Sequence, residues 1–409
     1  MSTSHGLTIG HLFLQLAVIL LVCRACGFLM RRIGQPRIIG EMIAGIVLGP
    51  SLLGALAPQT ALYLFPPASK PILFDVAQLG LVLYMFVVGL EFRADLLRAR
   101  LRSAVAVSVA GMAAPFVLGA GLSLLLTKEG GYFREGISPA MAAVFTGAAM
   151  CVTAFPMLAR IIKERGLSGT SAGTLALACG SLDDAAAWLL LAGVVGAVSG
   201  EVALIAWTAV GGLAYAFLCR TLVPRIFRKS AGNEEALARQ LGLLLVLLVA
   251  GAWFTDQIRL YAVFGAFILG ACVPRGHLAD YAIKKTAPLT TLLLLPVFFT
   301  YSGLNTRIDL LDSPRDWMFA GLVVLAAVVG KMGACYAAAR LCGEKHADSL
   351  TVASLMNARG LMELIMLNVG LQAGIITPLL FSVMVIMAVV TTLMTAPLFE
   401  MSRKRVNEG

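Results

Sequence analysis

The sequence predicts an all-α polytopic membrane protein with about 13 transmembrane helices. Of its 409 residues, 59% are hydrophobic and 13% are charged, whereas a soluble globular domain is about half apolar and a quarter charged. The mean hydropathy is +0.89. The apolar residues fall in blocks of about 18 to 25 residues, the length that a helix needs to cross a hydrocarbon core about 30 Å thick. A membrane β-barrel would show short alternating segments instead.

Each apolar block bounded by polar or charged residues is a predicted span. The limits are 9–29, 39–56, 73–91, 103–126, 139–161, 172–196, 200–219, 238–254, 259–273, 286–304, 317–339, 348–370 and 376–400. We therefore expect 1–409 to be a single transmembrane domain without a soluble regulatory domain. Span seven would link two half-repeats, about 1–196 and 238–400, which allows an inverted repeat. The G-x-x-x-G spacing of Gly45 and Gly49 favours close packing against another helix of the same chain over dimerisation.

Lysine and arginine residues are concentrated on one side of the predicted spans. Twenty-three of them lie in loops that follow odd-numbered spans, and six lie in the other loops. Because cytoplasmic loops carry the excess of Lys and Arg, we expect a multi-pass protein of the cell (inner) membrane with its N-terminus outside and its C-terminus in the cytoplasm. The net charge of +10 then reflects orientation in a lipid bilayer, and nucleic acid is not expected as a partner.

Four charged residues lie deep inside predicted spans. Asp183 and Asp184 are in span six, Lys331 is in span eleven and Arg359 is in span twelve. At 1.5 Å per residue all four lie near mid-membrane, where a charge costs at least a few kcal/mol and usually serves transport. A purely structural salt bridge is the alternative. However, one lysine neutralises only one of two adjacent carboxylates, so the second needs a proton or a cation.

The two aspartates can face different neighbours, because adjacent positions on a helix point about 100° apart. One carboxylate can meet Lys331 while the other faces a cavity. Burial and the neighbouring negative charge both favour the protonated form of the carboxylate at the cavity. That carboxylate would hold a proton at physiological pH and release it when a cation arrives, so that protons and cations compete for one site.

Two predicted spans are interrupted at this depth. In span five Pro156 removes a backbone donor shortly after Thr153, and in span twelve a polar segment with a glycine, 357–360, interrupts the apolar helix. Paired interrupted helices point to a transporter ion site; the alternative is a proline kink and a polar helix contact. Arg359 and Glu363 are spaced i, i+4 and can pair if their segment stays helical. Otherwise Arg359 could neutralise the carbonyl ends of broken helices.

Cysteines and histidines form no evident metal or redox motif. Cys23 and Cys26 have C-x-x-C spacing, but no second pair or histidine cluster accompanies them. An intramembrane enzyme would need a nucleophile with its base, or a metal motif, and enzymatic activity is not expected. We expect no cofactor apart from the transported ions.

The chain resembles the monovalent cation:proton antiporter-2 family over nearly its whole length. The similar segments are 34–36, 40–51, 89–92, 153–160, 183–184 and 357–364. Members include bacterial Na⁺/H⁺ and K⁺/H⁺ exchangers, the membrane domains of potassium-efflux systems and plant cation/H⁺ exchangers; segment 357–364 looks most like the plant-type branch. The resemblance implies an NhaA-like inverted-repeat antiporter fold with crossed broken helices (spans 5 and 12). It also implies a homodimer, in which a core domain moves elevator-like against a dimerisation domain.

The resemblance also implies roles for individual residues. Asp184 matches the carboxylate that binds the cation and the proton alternately, and Asp183 matches the carboxylate that pairs with Lys331. Thr153 matches a ligand position, so the monovalent cation is expected at Asp184 and Thr153. The charge-compensating residues of the site are then expected to be Lys331, Arg359 and Glu363.

The sequence therefore predicts a secondary active antiporter that exchanges a monovalent cation for protons by alternating access in an electrogenic cycle. Na⁺ is narrowly preferred over K⁺, because the aspartate pair with Lys331 resembles electrogenic Na⁺ exchangers, whereas segment 357–364 leans towards K⁺-linked relatives. The alternatives are a K⁺/H⁺ antiporter and a K⁺-efflux channel-like protein. A channel should carry filter-like carbonyl repeats or charged rings. A related solute:Na⁺ symporter is a further alternative.

Overall fold

The computed structural model describes residues 9–92, 101–167, 169–199, 202–228, 233–258 and 260–407. Predictions for the basic loop 93–100, for part of the polar loop at 229–232 and for the two termini lie outside these residues. The helices are α1 (Ile9–Arg32), α2 (Arg37–Leu48), α3 (Pro58–Leu64), α4 (Lys70–Glu91), α5 (Leu101–Glu129), α6 (Pro139–Cys151), α7 (Phe155–Glu164), α8 (Ser171–Ser199), α9 (Val202–Ile226), α10 (Glu234–Gln257), α11 (Ala262–Cys272), α12 (His277–Leu289), α13 (Leu295–Leu304), α14 (Pro314–Leu341), α15 (His346–Met356), α16 (Leu361–Gln372) and α17 (Pro378–Asn407).

The fold of the described residues is all-α, and each predicted interval overlaps one or more helices. Within the described residues, eight stretches are long and apolar enough to cross a membrane by length and composition, and α6 and α11 are shorter apolar helices. The helix at the start of the tenth interval, α12, begins at His277, before the predicted limit of 286, because helical hydrogen bonding continues into a charged segment that an apolar block excludes.

The chain divides into two compact units. The first comprises 1–21, 62–93 and 195–301, and the second comprises 22–61, 94–194 and 302–409. In the second unit α5 packs against α6 and α14, and α14 packs in turn against α15 and α17. These helices enclose the residues that the sequence singles out.

Glycines bring helices into close contact within each unit. In the first, a Cβ at Gly89 of α4 or at Gly270 of α11 would clash with a backbone carbonyl oxygen of the other helix. In the second, a Cβ at Gly49 would clash with the carbonyl oxygen of Gly303 in α13, and a Cβ at Gly303 would clash with the backbone of Gly45. The predicted internal packing of the G-x-x-x-G spacing is therefore confirmed.

The two spans with polar interruptions are each divided into two helices. α6 ends at Cys151, and Val152 is extended with φ −69° and ψ 140°. Pro156 lies in the first turn of α7, where a backbone N–H would have no helical partner in any case. α15 ends at Met356, and Gly360 precedes α16 with φ +149° and ψ −105°, a conformation that favours glycine.

The two non-helical segments are hydrogen-bonded to each other. The backbone N–H of Ala154 donates to the carbonyl oxygen of Ala358 at 3.2 Å. Irregular backbone inside a membrane protein must find its hydrogen-bond partners within the protein. This bond therefore stabilises both non-helical segments next to each other.

Candidate ion-binding site

Asp183 lies in the middle of α8 and accepts three hydrogen bonds. The Ser108 hydroxyl of α5 donates to Oδ1 at 2.5 Å, the Thr153 hydroxyl donates to Oδ2 at 2.7 Å, and Lys331 Nζ of α14 donates to Oδ2 at 2.7 Å. The Asp183 and Lys331 side chains are both 0% exposed. Both oxygens of the Asp183 carboxylate therefore have partners, one of them the buried ammonium group of Lys331.

Lys331 has a second partner at the end of a helix. Its ammonium group donates to the carbonyl oxygen of Cys151, the last residue of α6, at 2.8 Å. The last carbonyls of a helix have no intrahelical donor, so the lysine satisfies one of them and gains a second acceptor. Gly111 of α5 allows this approach, because a Cβ there would clash with Cys335, one turn along α14 from the lysine.

Asp184 is the next residue on α8 and is also 0% exposed. Adjacent positions on a helix point about 100° apart. The Asp184 side chain therefore leaves α8 in a different direction from the Asp183 side chain, which contacts Lys331. The helix therefore carries two buried carboxylates side by side, one of them in a defined ion pair. Such an arrangement can take up a further positive charge, as a proton or as a cation.

Thr153 connects the two interrupted helices. Its hydroxyl, which donates to Asp183, is also 3.4 Å from the carbonyl oxygen of Met356 at the end of α15. Thr153 therefore belongs to the hydrogen-bond set of Asp183, whereas the resemblance implies a role beside Asp184. Both interruptions lie next to the aspartate pair, and all of these residues are in the second unit.

Helix α17 holds the second interruption in place. Thr392 Oγ1 accepts a hydrogen bond from the backbone N–H of Arg359 at 3.0 Å and lies 2.7 Å from the carbonyl oxygen of the same residue, to which it can donate. The side-chain amide of Asn357 donates to the carbonyl oxygen of Thr391 at 3.1 Å. Side chains of α15–α16 and α17 thus replace the helical hydrogen bonds that the break removes.

Arg359 and Glu363 are both buried, at 1% exposure each. Their segment does not stay helical, and no hydrogen bond to a described protein atom is made by the guanidinium nitrogens of Arg359 or the carboxylate oxygens of Glu363. The i, i+4 pair that a continuous helix would allow is therefore not formed. Glu363 and Asp183 nevertheless both lie within electrostatic range of the guanidinium.

The family described as "Sodium/hydrogen exchanger, transmembrane" matches residues 17–401. The chain belongs to the sodium/hydrogen exchanger family. The exchanger is 40% identical over 391 residues to the protein named Na(+)/H(+) antiporter NhaS4 of Synechocystis sp., in an alignment that covers 94% of this chain and 95% of that protein. Family membership and the apolar helices together identify this chain as a multi-pass membrane protein that functions in ion transport.

Two eukaryotic relatives are longer than this exchanger. It is 36% identical over 418 residues to Cation/H(+) antiporter 17 of Arabidopsis thaliana, covering 97% of this chain and 50% of that protein. It is 32% identical over 403 residues to K(+)/H(+) antiporter 1 of Saccharomyces cerevisiae, covering 95% of this chain and 46% of that protein. The chain thus spans about half the length of these relatives.

A solved structure shares the fold. The sodium proton antiporter MjNhaP1 from Methanocaldococcus jannaschii at pH 8 matches with a TM-score of 0.66 and 16% sequence identity, over 96% of this chain and 98% of that chain. At this level of identity the match shows a common architecture.

Several contacts of the candidate site were not found by sequence reasoning. Ser108 is a single hydroxyl in an apolar helix, the acceptor at Cys151 is a backbone carbonyl, and Thr392 is one of several threonines on α17. None of these features differs in sequence from ordinary helix packing. The adjacent Asp183 and Asp184 were found because two carboxylates inside an apolar block are costly.

Residues 169–173 have the G-x-S-x-G spacing of a hydrolase nucleophile elbow, which the sequence reasoning overlooked. That motif requires a strand followed by a sharp turn into a helix. Here Ser171 begins α8 in an all-helical region, and its hydroxyl donates to Asp348 at 3.0 Å. The serine therefore joins two helix ends, and the strand that the motif requires is not part of this region.

Proposed function

We propose that the protein is a secondary antiporter that exchanges a monovalent cation for protons at Asp184, beside the Asp183–Lys331 ion pair. Asp183 already accepts three hydrogen bonds, one of them from the buried lysine. The adjacent carboxylate of Asp184 is also buried, and an arriving cation and a proton compete for it. The printed names of the relatives from Synechocystis, Arabidopsis and yeast, all antiporters of cations against protons, support this exchange.

The exchange proceeds by alternating access. Asp184 takes up a cation on one side of the membrane and a proton on the other, and the two species never need to be bound together. The interrupted helices give the site backbone carbonyl oxygens and a threonine hydroxyl in addition to the carboxylates. Monovalent cations are bound by such oxygen ligands.

We also propose an inverted repeat with two crossed interrupted helices, within thirteen membrane crossings. If the first six and last six spans correspond, the second span corresponds to the ninth and the third to the tenth. The glycine contact between α2 and α13 (spans two and ten) then has its counterpart in the contact between α11 and α4 (spans nine and three). The second unit would be the core that carries the site, and the first would be the dimerisation domain.

Na⁺ is our narrowly preferred cation, and K⁺ is the second candidate. Similarity to a protein named Na(+)/H(+) antiporter over 94% of the chain favours Na⁺ as the transported cation. The relative named K(+)/H(+) antiporter supports K⁺ as the alternative. We propose that the cycle is electrogenic, with two protons exchanged for one cation, and that the protein lies in the cell membrane with its C-terminus in the cytoplasm.

Proteoliposomes test this function directly. Purified protein is reconstituted with a pH-sensitive dye inside, a proton gradient is imposed, and Na⁺, K⁺ and Li⁺ are added outside. We expect proton movement that saturates with cation concentration and that is absent from protein-free liposomes. Cation flux that needs no opposing protons would instead identify a channel.

A further inference from the structure

Helix α17 contains a proline, Pro397, in its second half. A proline inside a helix has no backbone N–H to donate to the carbonyl four residues before it. In α17 that carbonyl belongs to Leu393. In membrane helices, neighbouring parts of the protein or ordered water satisfy a carbonyl that is freed in this way.

The loop between α1 and α2 supplies a donor to this carbonyl. The side-chain amide nitrogen of Gln35 donates to the carbonyl oxygen of Leu393 at 3.1 Å. The two residues are 358 positions apart in the chain, so the contact depends entirely on tertiary packing. The glutamine amide therefore stands in for the N–H that the proline lacks.

The same loop is also tied to α17 beyond the proline. The guanidinium of Arg165, which follows α7, donates to the carbonyl oxygen of Gly34 and forms an ion pair with Glu400 of α17. Gly34 has φ +75°, a conformation that favours glycine. The loop is thus connected to α17 before Pro397 through Gln35 and after Pro397 through the arginine.

The Leu393 carbonyl directly follows the two residues of α17 that hold the second interruption. The carbonyl oxygen of Thr391 accepts a hydrogen bond from the Asn357 amide at 3.1 Å. The hydroxyl of Thr392 accepts one from the backbone N–H of Arg359 at 3.0 Å. All of these residues are in the second unit. A shift of α17 at this turn would therefore move the non-helical segment that lies beside the aspartate pair.

We propose that Gln35 is a positioning residue for the ion site, on which it acts through α17; this rests on the proposed function. Its amide fixes the turn of α17 that precedes Pro397, and this turn fixes the second interruption. Without the amide, the Leu393 carbonyl loses its donor, which is unfavourable for an acceptor inside the protein. The helix would then rearrange at the turn that the proline already weakens.

Cation affinity distinguishes this role from a hydrogen bond that only stabilises the fold. Gln35→Met keeps the length and the unbranched shape of the side chain but removes the donor. Isothermal titration calorimetry of the full-length protein in detergent, at alkaline pH with NaCl and KCl, measures the dissociation constant without depending on transport. We expect this constant to rise about fivefold or more. A purely stabilising bond would lower the thermal midpoint and leave the dissociation constant unchanged.

Pro397→Ala is the matched background for this substitution. Alanine restores a backbone N–H four residues after Leu393, so α17 can satisfy its own carbonyl. In this background Gln35→Met should change the cation dissociation constant by less than about twofold. The difference between the two backgrounds measures whether the glutamine acts through the proline turn.

The proposal is overturned if Gln35→Met leaves the dissociation constant unchanged, or raises it by the same factor in both backgrounds. Should Gln35→Met not fold, the double variant Gln35→Met/Pro397→Ala should fold and bind cations like Pro397→Ala, and a double variant that also fails to fold overturns the proposal. Exchange by the wild type is measured separately in liposomes. Wild-type protein that binds cations without exchanging them refutes the proposed function while the binding series still decides the role of Gln35, and wild-type protein that binds neither cation overturns both.

Discussion

Lys331 Nζ lies 2.7 Å from Asp183 Oδ2, and neither side chain is exposed. Moving two charged groups out of water costs several kcal/mol of free energy for each group. Their attraction offsets this cost only when the geometry is good and further hydrogen bonds satisfy both groups. Ser108 and Thr153 supply the additional donors, and the Cys151 carbonyl supplies the additional acceptor. The pair is stable while both partners are charged, and loss of either charge leaves the other uncompensated.

The substitution Asp184→Asn should abolish cation-driven proton release. The amide has nearly the same shape as the carboxylate, but it can neither take up a proton at these pH values nor balance the charge of a cation. Proton release from proteoliposomes on addition of Na⁺ or K⁺ should fall to the background of protein-free liposomes.

A matched control for that substitution is Asp309→Asn. Asp309 forms an exposed ion pair with Arg307 at 2.6 Å, and surface pairs contribute at most about 1 kcal/mol. This variant should exchange at the wild-type rate. If Asp184→Asn retained that rate as well, Asp184 could not be the exchange site.

Thr392→Val should destabilise the protein and slow exchange. Valine keeps the shape of threonine but removes the hydroxyl that contacts both backbone polar groups of Arg359. Leaving buried backbone groups unsatisfied costs about 1–3 kcal/mol each. The thermal midpoint in detergent and the exchange rate should both fall.

Thr391→Val is the natural comparison for this change. Thr391 is also fully buried, but among the residues that the structure describes its hydroxyl donates to carbonyls of its own helix, those of Met387 and Ala388. Its loss should therefore have a much smaller effect on both measurements. Equal effects of the two substitutions would mean that the hydroxyl of Thr392 does not hold the interrupted segment.

Gly303→Ala should destabilise the second unit, because the new methyl group would overlap the backbone of Gly45. Overpacking of this kind costs about 1–3 kcal/mol. Gly321→Ala is the control, since a Cβ at Gly321 meets nothing within 4 Å and alanine favours the helix. The midpoint of thermal unfolding in detergent should be lower for Gly303→Ala than for Gly321→Ala. An unaltered midpoint for Gly303→Ala would contradict the close contact between Gly303 and Gly45.

The orientation of the chain can be tested by labelling single cysteines. In a background without the eight native cysteines, positions 230–236 should react with an impermeant maleimide from the cytoplasmic side, and positions 307–315 should react from outside. The excess of Lys and Arg after odd-numbered spans is the physical reason. Reaction of both segments from the same side would mean that the number of crossings between them is wrong.

The sequence was sufficient to predict the all-α fold and the residues of the aspartate pair. Both predictions depend on the free-energy cost of placing a charge or an unpaired backbone group in an apolar medium. It could not predict Ser108 or Thr392, since their partners are brought together only by tertiary packing. The expected contact between Arg359 and Glu363 depended on helical spacing, which Gly360 removes. Close crossings such as Gly45 with Gly303 were predicted as internal packing, but their partner could not be named from one sequence.

The last prediction concerns Lys331 and the charge moved in each cycle. If cation binding at Asp184 disturbs the Asp183–Lys331 pair, an additional proton can leave, and two protons are exchanged for one cation. One net charge then crosses the membrane, which is worth about 2.3 kcal/mol per 100 mV. Exchange by wild-type protein should therefore respond to a potential imposed with K⁺ and valinomycin while Na⁺ drives the exchange.

Lys331→Gln removes the charge but keeps a side chain that can donate to Asp183 and to the Cys151 carbonyl. Asp183 would then be a buried carboxylate beside Asp184 without its cation, a situation that favours its protonated, neutral form. Proton uptake and release at Asp184 can continue, so we expect exchange to survive but to lose its dependence on potential. Wild-type rates that are equal with and without potential, or a Lys331→Gln variant that stays equally sensitive to it, would rule out this coupling, because no other step of the cycle requires the lysine charge.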